Sequence, residues 1–351
     1  MGFEHAGRDD HRRQLPPRIE PIKSAPNWAG EHGDGLLRLT RLQAESGIED
    51  PRFRDVDPLI VFTAWFGAGD AQTKPSFEPS MGGFDPGRVR MFRPSWGSRR
   101  LHISPAAAKA QSVTITFTLD GVRTQTQGLD AFDQSLLYAA QPMRDFSRRL
   151  KQSNKPVAPW LHTVGHHVGA ESHHERTLMM VADYHPAVHY ISGQPFTLVW
   201  PEGGSLKSHT PDVAILGRNG PPLIVDVRTP AGAVEEVWEA KVPAIRKAIE
   251  SLGMGYAVWT GMSRPYRRNL ENFTEARVPS ASYAFWSLVA LDLCTEAMPA
   301  AELADHLEAT GYHRLRALTL IRRMLWRHLL RTDMFAPFTS SSIVERTDGQ
   351  E

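Results

Sequence analysis

Three carboxylates and one arginine have the types and the order that phosphoryl chemistry needs. Asp212 follows Thr210 and Pro211 at the head of the apolar run TPDVAIL (210–216). Asp226 lies in the next run, LIVDVR (223–228), with Arg228 two residues on. Side chains alternate along a strand, so Asp226 and Arg228 share a face. The turn-rich GRNGPP (217–222) returns the chain and lets the two aspartates approach at one end of a sheet. Two close carboxylates repel unless protonated or bridged by a cation. Mg²⁺ is the usual bridge, with Mn²⁺ as a substitute, because hard divalent ions prefer oxygen ligands. A metal so held lowers the pKa of water and stabilises charge on a phosphoryl oxygen. Glu175, in the helical pattern ESHHERTLMMVADY (171–184), supplies a third carboxylate. Taken singly, these residues also have ordinary readings: Thr-Pro-Asp as a strand-entry turn, and Asp-x-Arg as a surface ion pair.

Two further groups carry chemistry of a different kind. His162, His166, His167, His173 and His174 are of a type that binds zinc. Their spacing lacks the His-Glu-x-x-His pattern and the only cysteine is Cys294, so phosphate contact or plain exposure is expected instead. His209 either approaches a substrate or lies in a solvated turn, the simpler of the two. From 312 to 331 there are six arginines and no acid: Arg314, Arg316, Arg322, Arg323, Arg327 and Arg331. Leu315, Leu318, Ile321, Leu325 and Leu329 recur at helical spacing and face a core. Arg316, Arg323 and Arg327 then project together elsewhere, as on a helix that reads DNA phosphates. A solvated face balanced by Glu302, Asp305 and Glu308 is the alternative, and a protein partner a third. Arg267 and Arg268, in RPYRR (264–268), form a smaller basic patch or a solvated loop.

These residues need elements to hold them. At 351 residues the chain has room for two or three domains at about 150 each, and 41% hydrophobic with 23% charged residues is ordinary globular composition. Residues 1–56 read as a polar, disordered lead with a short helix at 36–46. Residues 57–160 read as a separate β-rich unit. PLIVFTAWF (58–66) and RVRMF (88–92) are short β runs, VTITFTLDGVRTQT (113–126) is a hairpin turning at Asp120 and Gly121, and a helical pattern runs from 130 to 151. Residues 161–272 give helix 171–184, strands 194–200, 210–216 and 223–228, a helix 233–252 kinked at Pro243, and strand 256–261. That order, αβββαβ, predicts an α/β sandwich with a meander and one crossover. Residues 273–351 give a buried helix at 280–297, a helix at 300–310 stopped by Gly311, a third at 314–331 and a hairpin over 335–344, the outline of a winged helix.

A net charge of +1 leaves nucleic acid open as a partner, because local basic clusters form the footprint. The longest apolar stretch, near 283–293, contains Asp292 and falls far short of the roughly 20 residues of a membrane span. The opening MGFEHAGRDD has no apolar signal core, and the lone cysteine suits a reducing compartment. A cytoplasmic protein without a membrane partner is therefore expected.

The combination resembles a family. Pro211 and Asp212, then Asp226, Val227 and Arg228, with Glu175 upstream, match the PD-(D/E)XK nuclease signature. The segments HVGAESHHERTLMMVADYHP, ISGQPFTL, HTPDVAIL, LIVDVR and GMGYAVWTGM resemble more narrowly the TnsA-like endonuclease subunit of heteromeric transposases. The resemblance covers roughly 165–270, with a looser extension to the C-terminal region. It implies a restriction-endonuclease-like core that cuts double-stranded DNA at a transposon end, in a bacterial cytoplasm and on the nucleoid when acting. A DDE-type transposase subunit and an ATP-dependent regulator would be its partners. Glu175, Asp212 and Asp226 would hold Mg²⁺, and Arg228 stands where the motif has lysine. Arginine keeps the charge but stays protonated, so it serves an electrostatic role and not a base role. Lys241 is a weaker substitute. A catalytically silent DNA-binding or assembly subunit, and a stand-alone restriction or repair nuclease, are the competing expectations.

Overall fold

The computed structural model describes residues 57–77, 107, 109–144, 156–203 and 206–347. The expected lead within 1–56 and the β run at 88–92 lie outside the described residues. The first described element is a helix, α1 (Ile60–Phe66), where a β run was expected. Its buried side chains, Val61, Phe62, Trp65 and Phe66, fall at helical spacing, which an all-apolar run does not reveal by alternation. The hairpin is present as β1 (Thr114–Thr118) and β2 (Thr124–Gly128), paired Thr118 with Thr124. Asp120 Oδ1 accepts from the amides of Val122 and Arg123 and closes the turn. The described part of the expected 130–151 helix is instead two 3-10 turns, Leu129–Ala131 and Gln134–Tyr138.

Short strands β3 (Trp160–Leu161) and β4 (His166–His167) pair with each other. Helix α2 (His173–Tyr184) follows, then β5 (Val188–Gly193), β6 (Thr197–Val199), β7 (Ser208–His209), β8 (Val213–Gly217) and β9 (Leu223–Val227). The expected kinked helix 233–252 is three pieces, α3 (Pro230–Ala233), α4 (Glu236–Glu239) and α5 (Val242–Ser251). Pro243 opens α5 rather than bending a longer helix, because its missing N–H is harmless in a first turn. Strand β10 (Gly255–Trp259) and helix α6 (Arg264–Thr274) come next, so RPYRR begins a helix and is not a loop. The C-terminal elements are α7 (Ser280–Leu293), β11 (Met298–Pro299), α8 (Ala300–Ala309), α9 (Arg314–Trp326), β12 (Leu330–Arg331) and β13 (Ile343–Arg346).

The architecture is mixed α/β, with one four-stranded sheet at its centre in the order β10-β9-β8-β5. Strands β5, β8 and β9 are antiparallel, and β10 joins β9 in parallel after the α3–α5 crossover. Alternate residues bury to opposite sides. Val213, Ile215, Val225 and Trp259 pack towards α1, α2, α6 and the C-terminal helices, while Ala214, Leu216, Ile224 and Val258 pack towards α5 and a second sheet. Both faces are covered, which is why these strands read as continuous apolar runs.

Four expectations change here. The first strand of the central sheet is β5, and not 194–200. Gln194 adopts a left-handed backbone (φ 47°) that ends β5, and β6 then leaves for the second sheet. That sheet has the order β2-β1-β6-β7, and β1 pairs with β6 through Ile115 and Leu198. The N-terminal hairpin is therefore continuous with strands from beyond 160, and does not stand as a separate unit. Helix α1 is joined in the same way. Trp65 Nε1 donates to the Pro221 carbonyl (2.8 Å), and the rings of Trp65 and Phe66 lie where a Cβ on Gly255 or Gly217 would stand. Helix α7 is buried only at Ser287 and Ala290 and exposes Phe285 and Leu288. A three-stranded sheet, β11-β13-β12, replaces the expected 335–344 hairpin. Among the described residues no helix is long and apolar enough to cross a membrane.

Candidate functional site

The β8–β9 register sets the aspartates. Val213 pairs with Val225, and one step further places Asp212 directly across from Asp226 on the same face. Both are buried, Asp226 completely. Asp226 Oδ2 accepts from Tyr256 Oη (2.5 Å) and from His209 Nε2 (2.9 Å), and Oδ1 lies 3.1 Å from the same nitrogen. Burial raises the Asp226 carboxyl, but the charge and hydrogen bonds of His209, the Tyr256 hydroxyl and Arg228 more than reverse it, leaving it below the ordinary aspartate value. Asp212 Oδ2 accepts from the Val227 amide (2.7 Å). Its pKa is pushed well above the ordinary value by burial, by Asp226 and by Glu175. The three carboxylates therefore act on one another.

Glu175 sits in the first turn of α2. Its oxygens accept from the Glu171 amide (2.8 Å) and Ser172 Oγ (3.0 Å), while Ser172 caps the helix by receiving the Glu175 amide. This reciprocal Ser-x-x-Glu arrangement is a capping device as well as a site feature. Burial raises Glu175 to about 7. Arg144 opposes that rise and pairs with Glu171 (3.2 Å), so a residue from before 160 serves the site.

Arg228 follows β9 and is half-buried, its guanidinium carbon 3.9 Å from the centre of the Trp238 ring on α4. Its charge lowers both aspartates. The His174 ring donates to the Arg228 carbonyl (3.0 Å) and braces the strand end. His209 is neither a solvated turn residue nor a free group: on β7 it clamps Asp226 and lies against Trp238. Tyr256 and Trp238 are members that sequence reasoning missed. Tyr256 pairs with Ile224, two residues before Asp226 and so on the same face, a neighbour that appears only once β10 is known to run parallel to β9. Lys241 precedes α5 and makes no side-chain bond to its first turn. The remaining histidines are dispersed. The His162 amide donates to Asp183, His166 and His167 bond nearby carbonyls, and His173 begins α2.

The basic residues divide. Arg316 and Arg268 are exposed, and Arg327 and Arg267 half-buried. Arg323 is 3% exposed and pushed down to about 9 by burial, so it faces the interior and not a phosphate backbone. The phase of α9 is the reason: Ala317, Leu320, Ile321, Met324 and Leu325 are buried, and Leu315, expected inside, is 82% exposed. Arg314 pairs with Asp305 (2.9 Å) and Glu308 (3.6 Å), the acids of the preceding helix. Arg267 lies close enough to His174 to lower its pKa, though burial is the larger cause.

Among the described residues no three His, Cys, Asp or Glu side chains form a ready-made cation cluster. Asp226 is turned to His209 and Tyr256, and Glu175 to its own helix cap. Asp212, raised by burial, Asp226 and Glu175, is an oxygen donor of the kind whose repulsion a hard cation would neutralise. No protein-family model matches the chain, and no curated protein matches it.

Proposed function

We propose that the chain is a metal-dependent DNA endonuclease subunit of a heteromeric transposase, hydrolysing a phosphodiester at a transposon end. The observation that carries this reading is Asp212, held opposite Asp226, raised by burial, by Asp226 and by Glu175, and within the field of Arg228. The order α2, β5, β8, β9, α5, β10 is the one a restriction-endonuclease-like core has. Helices α8 and α9 with the β11-β13-β12 sheet suit a winged-helix-like unit, with Arg316 and Arg327 for phosphates. Asp212, Asp226 and Glu175 would hold Mg²⁺ or Mn²⁺. Such an ion, when bound, lowers the pKa of water and takes up phosphoryl charge. Arg228 stabilises the charge of the phosphorane without accepting a proton, and Trp238 keeps its plane fixed. His209 and Tyr256 orient Asp226. Double-stranded DNA, a DDE-type transposase subunit and an ATP-dependent regulator are the partners, on a bacterial nucleoid.

One observation favours a second reading. The Asp226 oxygens are already occupied by His209 and Tyr256, as suits a silent assembly subunit that uses the fold to bind DNA. Cleavage of transposon-end duplex with Mg²⁺ or Mn²⁺, with and without the cognate transposase, decides between them. The nuclease reading expects one strand cut by the wild type with transposase present. A wild type inert with every metal and partner establishes the silent subunit, and cutting without transposase or end preference establishes a stand-alone nuclease.

A further inference from the structure

Gln194 breaks two rules at once. Its backbone is left-handed (φ 47°), a region that side chains other than glycine enter at a cost. Its side chain is 1% exposed, and neither Oε1 nor Nε2 has a hydrogen-bond partner in the protein. Buried amides are normally bonded, and an unbonded one needs a reason. The backbone supplies none: its amide donates to the Asp212 carbonyl (2.8 Å) and its carbonyl accepts from the Met143 amide (3.0 Å), so the main chain is satisfied without the side chain. A glycine there would remove both costs, and the chain places glycine next door at Gly193. A residue that local structure disfavours twice is expected where function selects it.

Its position gives the function. The β5–β8 register pairs Gly193 with Val213, and one step on puts Gln194 across from Asp212, as Asp212 is across from Asp226. Gln194, Asp212 and Asp226 thus occupy one row over three neighbouring strands. On its other side, Met143 leads into Arg144, which pairs with Glu171, whose amide holds Glu175. Gln194 is bracketed by both halves of the carboxylate site. A carboxamide adds hydrogen-bonding capacity there without adding a fourth negative charge.

We propose that Gln194 is a substrate-binding residue of this site, its Nε2–H donating to a phosphoryl oxygen of the DNA strand beside Asp212, an inference that rests on the nuclease reading above. The test uses the full chain with its cognate transposase and three variants, Gln194→Gly, Gln194→Asn and Gln194→Glu. Thermal melting, cleavage, and affinity for fluorescein-labelled transposon-end duplex in Ca²⁺ are measured in parallel. Gln194→Gly melts at or above the wild type, since glycine suits the backbone and no buried amide is stranded. The same variant loses about 10²-fold in cleavage, the scale of one donor to a developing oxyanion. Gln194→Glu loses more, because a fourth carboxylate repels phosphate, and Gln194→Asn less. Cleavage by Gln194→Gly within twofold of wild type overturns the inference while leaving the nuclease reading intact. A melting point several degrees lower also overturns it, and identifies the amide as the partner of a structural buried water. If the wild type cuts nothing, the nuclease reading fails on its own and affinity decides: about tenfold weaker binding by Gln194→Gly, one hydrogen bond to a charged group, supports a phosphate contact, and equal binding removes it.

Discussion

Helix α2 has a buried ionisable cluster at each end, and the two are balanced in opposite ways. At its C-terminal end Asp183 accepts from the amides of His162 (2.9 Å) and Thr163 (2.7 Å). Lys74 donates to the carbonyls of Asp183 (2.5 Å) and His185 (2.6 Å) at the helix end, the second of which also accepts from the Val188 amide (3.2 Å). His328 donates to the Tyr184 carbonyl (2.8 Å) and stacks on that ring, and His185 meets Thr63 Oγ1 at 3.0 Å. There the carboxylate is held by amides and the ammonium by carbonyls, each polar group facing a dipole of the opposite sense. At the N-terminal end Glu175 joins Asp212 and Asp226, three groups of one sign; burial, Asp226 and Glu175 together raise Asp212, and Arg228 offsets that only in part. Burial is common to both ends. Matched burial holds a fold together, whereas unmatched burial of like charge persists where a ligand completes the balance.

The largest contrast comes from removing one aspartate at each end. Asp212→Asn abolishes cleavage, by three orders of magnitude or more, and leaves the melting point unchanged or higher because it relieves repulsion. Asp183→Ala lowers stability by about 3 kcal/mol, since it strands two buried amides and the charge of Lys74. Cleavage and denaturant unfolding of the two variants check this, and a destabilised Asp212→Asn would erase the distinction.

A pH series sharpens the comparison through opposite signs. Burial, Lys74 and His328 hold His185 at about 3, and burial holds His328 at about 4, both below the ordinary 6.5. As pH falls through 6.5 the unfolded chain takes up protons before the native one, so this end loses stability progressively towards pH 4. Glu175, raised to about 7 from 4.5, does the reverse: the native chain is protonated first, and stability is gained as pH falls from 7 towards 4.5. Asp212 is raised in the same direction as Glu175, so unfolding of Asp212→Asn between pH 7.5 and 4.5 shows a steeper acid loss than the wild type, and His328→Asn a shallower one. The smallest effect is at Arg228. Arg228→Lys keeps the charge but gives up the planar stack on Trp238, a contact worth about 1 kcal/mol, so kcat falls tenfold or less while DNA affinity changes little. Arg228→Ala falls much further. Equal, near-wild-type rates for both variants would leave Arg228 without a part in the chemistry.

Much of the carboxylate end was legible because it is local. Asp212, the GRNGPP turn and Asp226 lie within one antiparallel pair, and strand alternation fixes their faces. Glu175 was legible as a helical acid, but its Ser172 cap went unread. The C-terminal end of α2 was illegible, because Lys74 and His328 reach it from 109 and 144 residues away. Arg323 and Leu315 exchanged their expected environments for a related reason. Apolar spacing gives the period of α9 but not its phase, which the packing of α8 and of the Tyr184 and Trp326 rings sets.

By itself, the sequence determined the helical period of α2, α8 and α9, the hairpin of β1 and β2, the end marked by Gly311, and the facing acids beside β8 and β9, since these follow from backbone sterics and side-chain alternation over a few residues. Only tertiary structure decided that β5 and not 194–200 opens the central sheet, that β1 and β2 extend a sheet begun by β6 and β7, and that His209, Tyr256 and Trp238 surround Asp226 and Arg228. Those outcomes depend on which distant surfaces bury each other, and burial is a property of the whole packed chain rather than of any segment.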